Sequence, residues 1–396
     1  MMRRVAVTGI GVVSALGLDR ESFWKSLTEG RSGIAPLQCV DRTLLRFTNA
    51  AEVRGLDPCA FMDQKEADQL DRFVHLAAAA AAEAIADSGR TFSGPDICIV
   101  TGSSCGGKQT EDATFHELYA QSKTRFNPLT IPRIMANAAA SWISIRYGVA
   151  GPVYTVSTAC ASSSHAIGQA FWMVRNGLVE AALTGGSEAP FSLGMLKAWE
   201  AMRVVSPDTC RPFSANRKGL ILGEGAAMLT LEPFESALAR GAHIYAEICG
   251  FGMSSDASHI TAPSADGAMR AMQLALREAA LAPEQIGYIN AHGTGTTLND
   301  ATETRAIRQL FRSPPPVSST KSMHGHALGA AGALEAAATV LALDRGVLPP
   351  TANYLGTDPE CDLDVIPVTA RHLRVEAAIS NSFAFGGLNA VLAFRR

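Results

Sequence analysis

The sequence is poor in paired cysteine, in charge and in long apolar runs. Eight cysteines stand apart, at 39, 59, 98, 105, 160, 210, 249 and 361, and no two make a C-x-x-C pair. That spacing argues against a zinc site or a disulfide framework, and free thiols fit a reducing compartment, here the cytoplasm. Charged residues make up 18% of the chain, the formal net charge is −3 and no block of like charge occurs. Nothing in that balance supports nucleic-acid binding. No apolar run reaches the ~18 residues of a membrane helix, so no span is expected. The start, MMRRVAVTGIGVVSALG, sets an apolar run after two arginines, but Thr8, Gly9 and Gly11 interrupt it and no A-x-A-like end follows. It reads as a first buried strand, Val5 to Thr8, entering a Gly-rich loop, and not as a signal peptide.

What is present is a chain of 396 residues, 47% of them hydrophobic. That is enough for a large core and for two domains or one duplicated one. Short β-branched runs alternate with alanine-rich helical stretches, which argues for an α/β fold. Helices are expected at Arg20–Glu29, Asp71–Asp87 (capped by Gly89), Glu111–Gln121, Pro132–Ile145, Gly194–Met202, Ala268–Leu281 and Ala327–Leu343. Strands are expected at 96–101, 153–156, 226–231, 245–249, 286–290, 317–320 and 377–380. A further strand, Glu180 to Gly185, is expected to stop at a Gly-Gly turn. Thr43–Phe61 reads as an irregular excursion, and Arg211–Gly225 and Asn381–Asn389 as loops. The order helix, short turn, buried strand, Gly-rich loop occurs twice, in Phe73–Gly107 and Ala268–Gly295, and points to two similar halves of about 200 residues.

Chemistry concentrates at the ends of strands, where α/β proteins place their sites. In GPVYTVSTACASSSHAIG, residues 151–168, a strand turns sharply into a helix, and Cys160 stands at the turn. The unpaired N–H groups and the positive end of the helix dipole favour thiolate there. A nucleophile and a buried structural cysteine both satisfy this stretch. Three more polar, glycine-rich strand ends follow: NAHGTGTT with His292, STKSMHGHALGAAG with Lys321, His324 and His326, and SNSFAFGGLN.

These motifs, with RPFSANRKGLILGEGAA and AEICGFGMSSDASH, resemble in order and spacing the β-ketoacyl-acyl-carrier-protein synthases. These are decarboxylating condensing enzymes of the thiolase superfamily, and the type II elongating enzyme is the nearest pattern. The resemblance covers essentially the whole chain. It implies a thiolase-like five-layer αβαβα sandwich of two halves, 1–240 carrying the nucleophile and 241–396 carrying the histidines and lysine. It implies a ketosynthase that joins an acyl thioester to malonyl-carrier with loss of CO2, in fatty-acid or a related specialised (polyketide- or polyene-like) biosynthesis. Cys160 would take the acyl chain, and the N–H groups of Cys160 and Phe385 would hold the oxyanion. His292 and His326 would stabilise the enolate, with Lys321 tuning them and Glu335 supporting. Phe383 and Phe385 would belong to a gating loop. Thr294 and Thr296 would bind the phosphopantetheine arm, and Cys105 would line the acyl tunnel. Arg203, Arg211, Arg217, Lys218 and, more weakly, Lys65 would meet an acidic carrier protein. No cofactor is required, although the resemblance admits a structural K+ or Na+ at Asn290, Glu335, Ser380 and Asn381. The His324-x-His326 pair has no third ligand at metal spacing. A homodimer, or a heterodimer with a related subunit, is implied.

The chain departs from the family pattern in places. Ala384 and Leu388 replace a glycine and a threonine of the gate, His324 a threonine, and Cys105 a larger aliphatic residue. The segment Lys65-Glu66-Ala67-Asp68-Gln69 is less basic than in relatives. Two other functions compete: a chain-length-factor-like partner subunit, which usually lacks the nucleophile, and a degradative thiolase, whose second cysteine has no counterpart beyond Cys361.

Overall fold

Alternating strands and helices assemble around one mixed ten-stranded sheet in the computed structural model, which describes residues 2–396. The strands are β1 (Val5–Ser14), β2 (Ile97–Gly102), β3 (Val153–Val156), β4 (Ala181–Glu188), β5 (Gly225–Pro233), β6 (Ala246–Ser255), β7 (Tyr288–Asn290), β8 (Val317–Ser318), β9 (Ala377–Ala384) and β10 (Leu388–Arg395). Their spatial order is β8-β7-β9-β10-β6-β1-β5-β4-β2-β3. Taken half by half, the first strand lies beside the fifth, then the fourth, second and third. The pairings also match: antiparallel for first–fifth and fifth–fourth, parallel for fourth–second and second–third. The two half-sheets join only where Val5–Val7 pair antiparallel with Ala246–Ile248.

The principal helices are α1 (Arg20–Thr28), α2 (Arg72–Ser88), α3 (Lys108–Gln121), α4 (Thr130–Ile134), α5 (Ala138–Tyr147), α6 (Ser162–Arg175), α7 (Leu193–Ala201), α8 (Ala265–Ala279), α9 (Thr297–Leu310) and α10 (Ala331–Arg345). Helix α2 covers the outer face of the first half-sheet, and α8, flanked by α9, that of the second. Helices α6 and α10 lie between the half-sheets and touch both. The result is five layers, α-β-α-β-α, with one apolar core on each outer face and the largest between the half-sheets. The middle helices have apolar residues all round because sheet closes on both sides of them; α10 is buried from Ala331 to Leu343.

Several expected boundaries move. The strand after Glu180 does not stop at Gly185-Gly186 but runs to Glu188. A Cβ at 186 would stand 2.6 Å from the Gly102 carbonyl oxygen and 2.7 Å from Ser163 Cβ. Glycine there lets β2 and α6 approach the strand closely rather than turning the chain. The expected helix Pro132–Ile145 is two, α4 and α5, broken at Met135–Asn137. The stretch Asn381–Asn389 is not a long loop: β9 continues through Ala384, and only Phe385–Gly387 separates it from β10. In the first half the same connection, β4 to β5, spans residues 189–224 and carries α7.

Candidate active site

Strand β3 leads through Ser157–Ala161 into α6. Ala159 takes a left-handed conformation, φ 49°, which is costly for a residue with a Cβ. Ser162 holds the turn: its Oγ accepts from the Thr158 N–H at 2.9 Å and donates to the Ala159 carbonyl at 2.7 Å. Cys160 is thereby set at the start of α6, at the junction of two cavities. One, of ≈ 450 Å³, is lined by His292, His326, Thr294, Thr296 and Phe383 among others. The second, of ≈ 470 Å³, includes Cys105, Ser157, Met195 and Leu328.

The reactive atoms of Cys160, His292 and His326 lie within 4.8 Å of one another, and all three residues are buried. His326 Nε2 is 3.1 Å from Cys160 Sγ. Its Nδ1 accepts the Leu328 N–H at 3.3 Å, so the ring proton sits on Nε2 and points at the sulfur. Lys321 Nζ lies 3.2 Å from His292 Nδ1 and donates to the His292 carbonyl at 2.7 Å. An ammonium can only donate, so His292 too carries its proton on Nε2. Both imidazoles are held far below their ordinary pKa, first by burial and then by the Lys321 charge. The pair therefore presents two neutral N–H donors. Lys321 itself is fully buried against Glu335.

The thiol is not the resting thiolate that the helix position predicts. Burial pushes it up to about 11, against the smaller downward pulls of Lys321 and the Phe385 N–H. At a fully enclosed site desolvation outweighs the helix end.

Residues 2–237 match the family described as beta-ketoacyl synthase, N-terminal domain, and residues 245–355 its C-terminal domain. The chain belongs to the β-ketoacyl synthase family. It is 46% identical over 402 residues to Nodulation protein E of Rhizobium sp. strain N33, covering 100% of both. It is 43% identical over 408 residues to 3-oxoacyl-[acyl-carrier-protein] synthase 2 of Synechocystis, covering 100% of this chain and 98% of that one. Among solved structures it superposes on the ishigamide ketosynthase/chain length factor with a TM-score of 0.97 at 38% identity, over 100% of this chain and 99% of that one. The thiolase-like fold and the acyltransferase class of a β-ketoacyl synthase follow.

The structure gathers most of the expected β-ketoacyl synthase residues. Thr294 and Thr296 line the first cavity with their hydroxyls 2.9 Å apart. Phe383 sits edge-on to His292, ring centres 6.3 Å apart. Phe385 borders both cavities. Asn290, Glu335, Ser380 and Asn381 are buried, and Asn290 Oδ1, Glu335 Oε2, Ser380 Oγ and Asn381 Oδ1 have no hydrogen-bond partner. The basic group does not hold together. Arg203, Lys218 and Lys65 are exposed, and Arg211 is paired with Asp208 at 2.8 Å. Arg217 is 6% exposed, paired with Asp358 and 3.9 Å from Asp300, so it braces the interior and cannot dock a carrier.

Two buried acids on α9 were missed. Glu303 accepts the N–H groups of His292 and Gly293 at 2.9 and 2.8 Å and the Asn381 amide at 3.1 Å. Asp300 accepts the N–H groups of Phe213 and Gly295 at 2.8 and 3.2 Å. Burial raises them to about 7 and about 6. The signal was present: Asp300, Glu303, Thr304 and Ile307 share the inward stripe of one helix, where a carboxylate needs a reason to be.

Proposed function

We propose that this chain catalyses the decarboxylative condensation of an acyl thioester with malonyl-acyl-carrier protein, giving a 3-ketoacyl-carrier product. The observation that carries this reading is one buried thiol beside two imidazoles fixed as neutral Nε2–H donors. In the first step the Cys160 sulfur attacks the acyl-carrier carbonyl. The N–H groups of Cys160 and Phe385 hold the oxyanion, and the carrier thiol leaves with the proton. Malonyl-carrier then enters by the first cavity, its pantetheine arm against Thr294 and Thr296. As the C–C bond to the carboxylate breaks and CO2 departs, the electron pair becomes an enolate on the thioester. The Nε2–H groups of His292 and His326 stabilise it without the repulsion carboxylates would bring. The enolate carbon attacks acyl-Cys160, forming the new C–C bond and releasing the sulfur, which regains a proton. Lys321 and Glu335 fix the tautomer and orientation of His292.

The orphaned oxygens of Asn290, Glu335, Ser380 and Asn381 are hard donors of the kind a monovalent cation takes; these four residues would hold it, and it would supply positive charge to their buried oxygens. A chain-length-factor role is disfavoured by the intact Cys160–His292–His326 site. A thiolase role is disfavoured because Cys361 is buried in the outer core and lines neither cavity. Free cysteines throughout, with no described helix long and apolar enough to cross a membrane, support a cytoplasmic enzyme. We also read the chain as halves divided at 240/241, between β5 and β6. The test is the Cys160→Gln variant: it is expected to lose condensation yet release CO2 from malonyl-carrier faster than the parent does without an acyl donor. Retained condensation would overturn the assignment of the nucleophile.

A further inference from the structure

The two cavities meet at four shared residues: Cys160, Trp199, Met202 and Phe385. Two of these are aromatic and face one another. The rings of Trp199 and Phe385 stack with centres 6.1 Å apart and planes 27° from parallel. They are carried very differently. Phe385 opens the three-residue turn between β9 and β10, followed by Gly386 and Gly387 at φ 81° and 69°. Trp199 stands on α7, capped by Ser192 and anchored by the buried Leu196. Met195 and Trp199 line the second cavity from that helix and Met202 from its C-cap, at the i, i+4, i+7 spacing of one face. One ring sits on a short turn, and its partner on a capped helix.

This arrangement bears on what can bond to Cys160. An acyl group on Cys160 whose oxygen meets the Phe385 N–H lies at the junction that Phe385 and its stacked partner Trp199 border. We propose that Trp199 is the helix-borne leaf of a two-ring gate and a specificity-determining residue, selecting unbranched acyl groups against those branched next to the carbonyl. The inference rests on the condensing-enzyme reading above and adds to it the residue that restricts the acyl donor.

The test is single-turnover acylation of Cys160 by the hexanoyl and 2-methylhexanoyl thioesters of N-acetylcysteamine, which bypass carrier docking. Parent, Trp199→Phe and Trp199→Ala are compared, with circular dichroism to check folding. The branched-to-straight rate ratio is expected to rise at least about tenfold in Trp199→Ala, the scale of a changed apolar pocket contact, with Trp199→Phe between. If Trp199→Ala does not fold, Trp199→Leu takes its place. The chain has four tryptophans, and the parting of the stack is expected to change the emission of Trp199 on acylation. That change should vanish in Trp199→Phe. A ratio unmoved in the variants, or an emission change that persists in Trp199→Phe, overturns the inference. A parent that takes up neither acyl group overturns the condensing-enzyme reading as well, so the two failures are distinguishable.

Discussion

Lys321 shows how burial and charge are combined at the level of single residues. An ammonium with no solvent exposure survives only because Glu335 lies against it and the His292 carbonyl accepts from it. Truncating it would free the His292 tautomer and leave Glu335, already raised to about 7 by burial, to take up a proton in place of its lost partner. The other buried acids make a pH signature. Glu303 is raised from 4.5 to about 7 by burial. A raised carboxyl contributes stability that is full below its unfolded value and is lost as pH rises through its folded value. Glu303 thus contributes roughly 3 kcal/mol at low pH that is gone above neutrality. The parent should lose Tm relative to Glu303→Gln as pH rises from about 5 to 8; a difference that calorimetry finds independent of pH would mean that Glu303 does not titrate there. At this scale the sequence was readable where a motif named the residue, as for Cys160, His292, His326 and Lys321. It was misleading where environment decides: the thiol's position promised an acid, and its enclosure makes it a weak one. Arg217 looked like a surface charge and is an interior brace, because Asp300 and Asp358 lie out of its sequence neighbourhood.

Among the elements, the β9–β10 hairpin has the largest bearing on function. Its turn is held from outside: Gly386 donates to the Ile260 carbonyl at 2.7 Å, and Asp256 donates its N–H to the Gly387 carbonyl at 2.9 Å. The sequence NSFAFGGLN reads as loop because asparagine and paired glycine usually punctuate, yet Asn381–Ala384 pair with Leu388–Val391 across the β9–β10 hairpin and leave only three residues unpaired. The same residue type misled at Gly185-Gly186 for the opposite reason, close packing. Helix α7 and the loop before α3 wall the second cavity, where Cys105 is half-buried. Cys105→Phe should shorten the longest acyl chain accepted while sparing the smallest, each lost methylene being worth about 1–3 kcal/mol. A chain-length profile that overlays the parent's would show that residue 105 does not border the acyl group. Ala384 and Leu388 flank the turn as strand residues, and an Ala384→Gly, Leu388→Thr double variant then becomes the next comparison.

Over the whole molecule, the doubled strand order was legible only as a repeated helix–strand–loop rhythm. Pairing partners such as Val5 and Ile248 are too distant in sequence for periodicity to join them. Strand β3 ends the sheet with a free, half-buried edge, and Phe115, Tyr119, Ile131 and Met135 on or beside α3 and α4 are exposed. We propose that this side pairs with a second copy or a related subunit, burying about 2,000 Å² or more. Light scattering should give a dimer mass at micromolar concentration, and a monomer would contradict it. Carrier docking we assign to exposed Arg203 and Lys218. Arg203→Glu should raise KM for carrier-linked substrates and leave N-acetylcysteamine thioesters unaffected, since rim charges act on encounter; equal losses on both would place the effect in the site. The central claim, that Cys160 carries the acyl chain, is tested most directly by the intact mass and peptide map of the enzyme after incubation with a panel of acyl-carrier thioesters. One acyl group per chain is expected, on the peptide containing Cys160, discharged as 3-ketoacyl-carrier when malonyl-carrier is added. An adduct on another cysteine, or condensation product without any adduct, would contradict it.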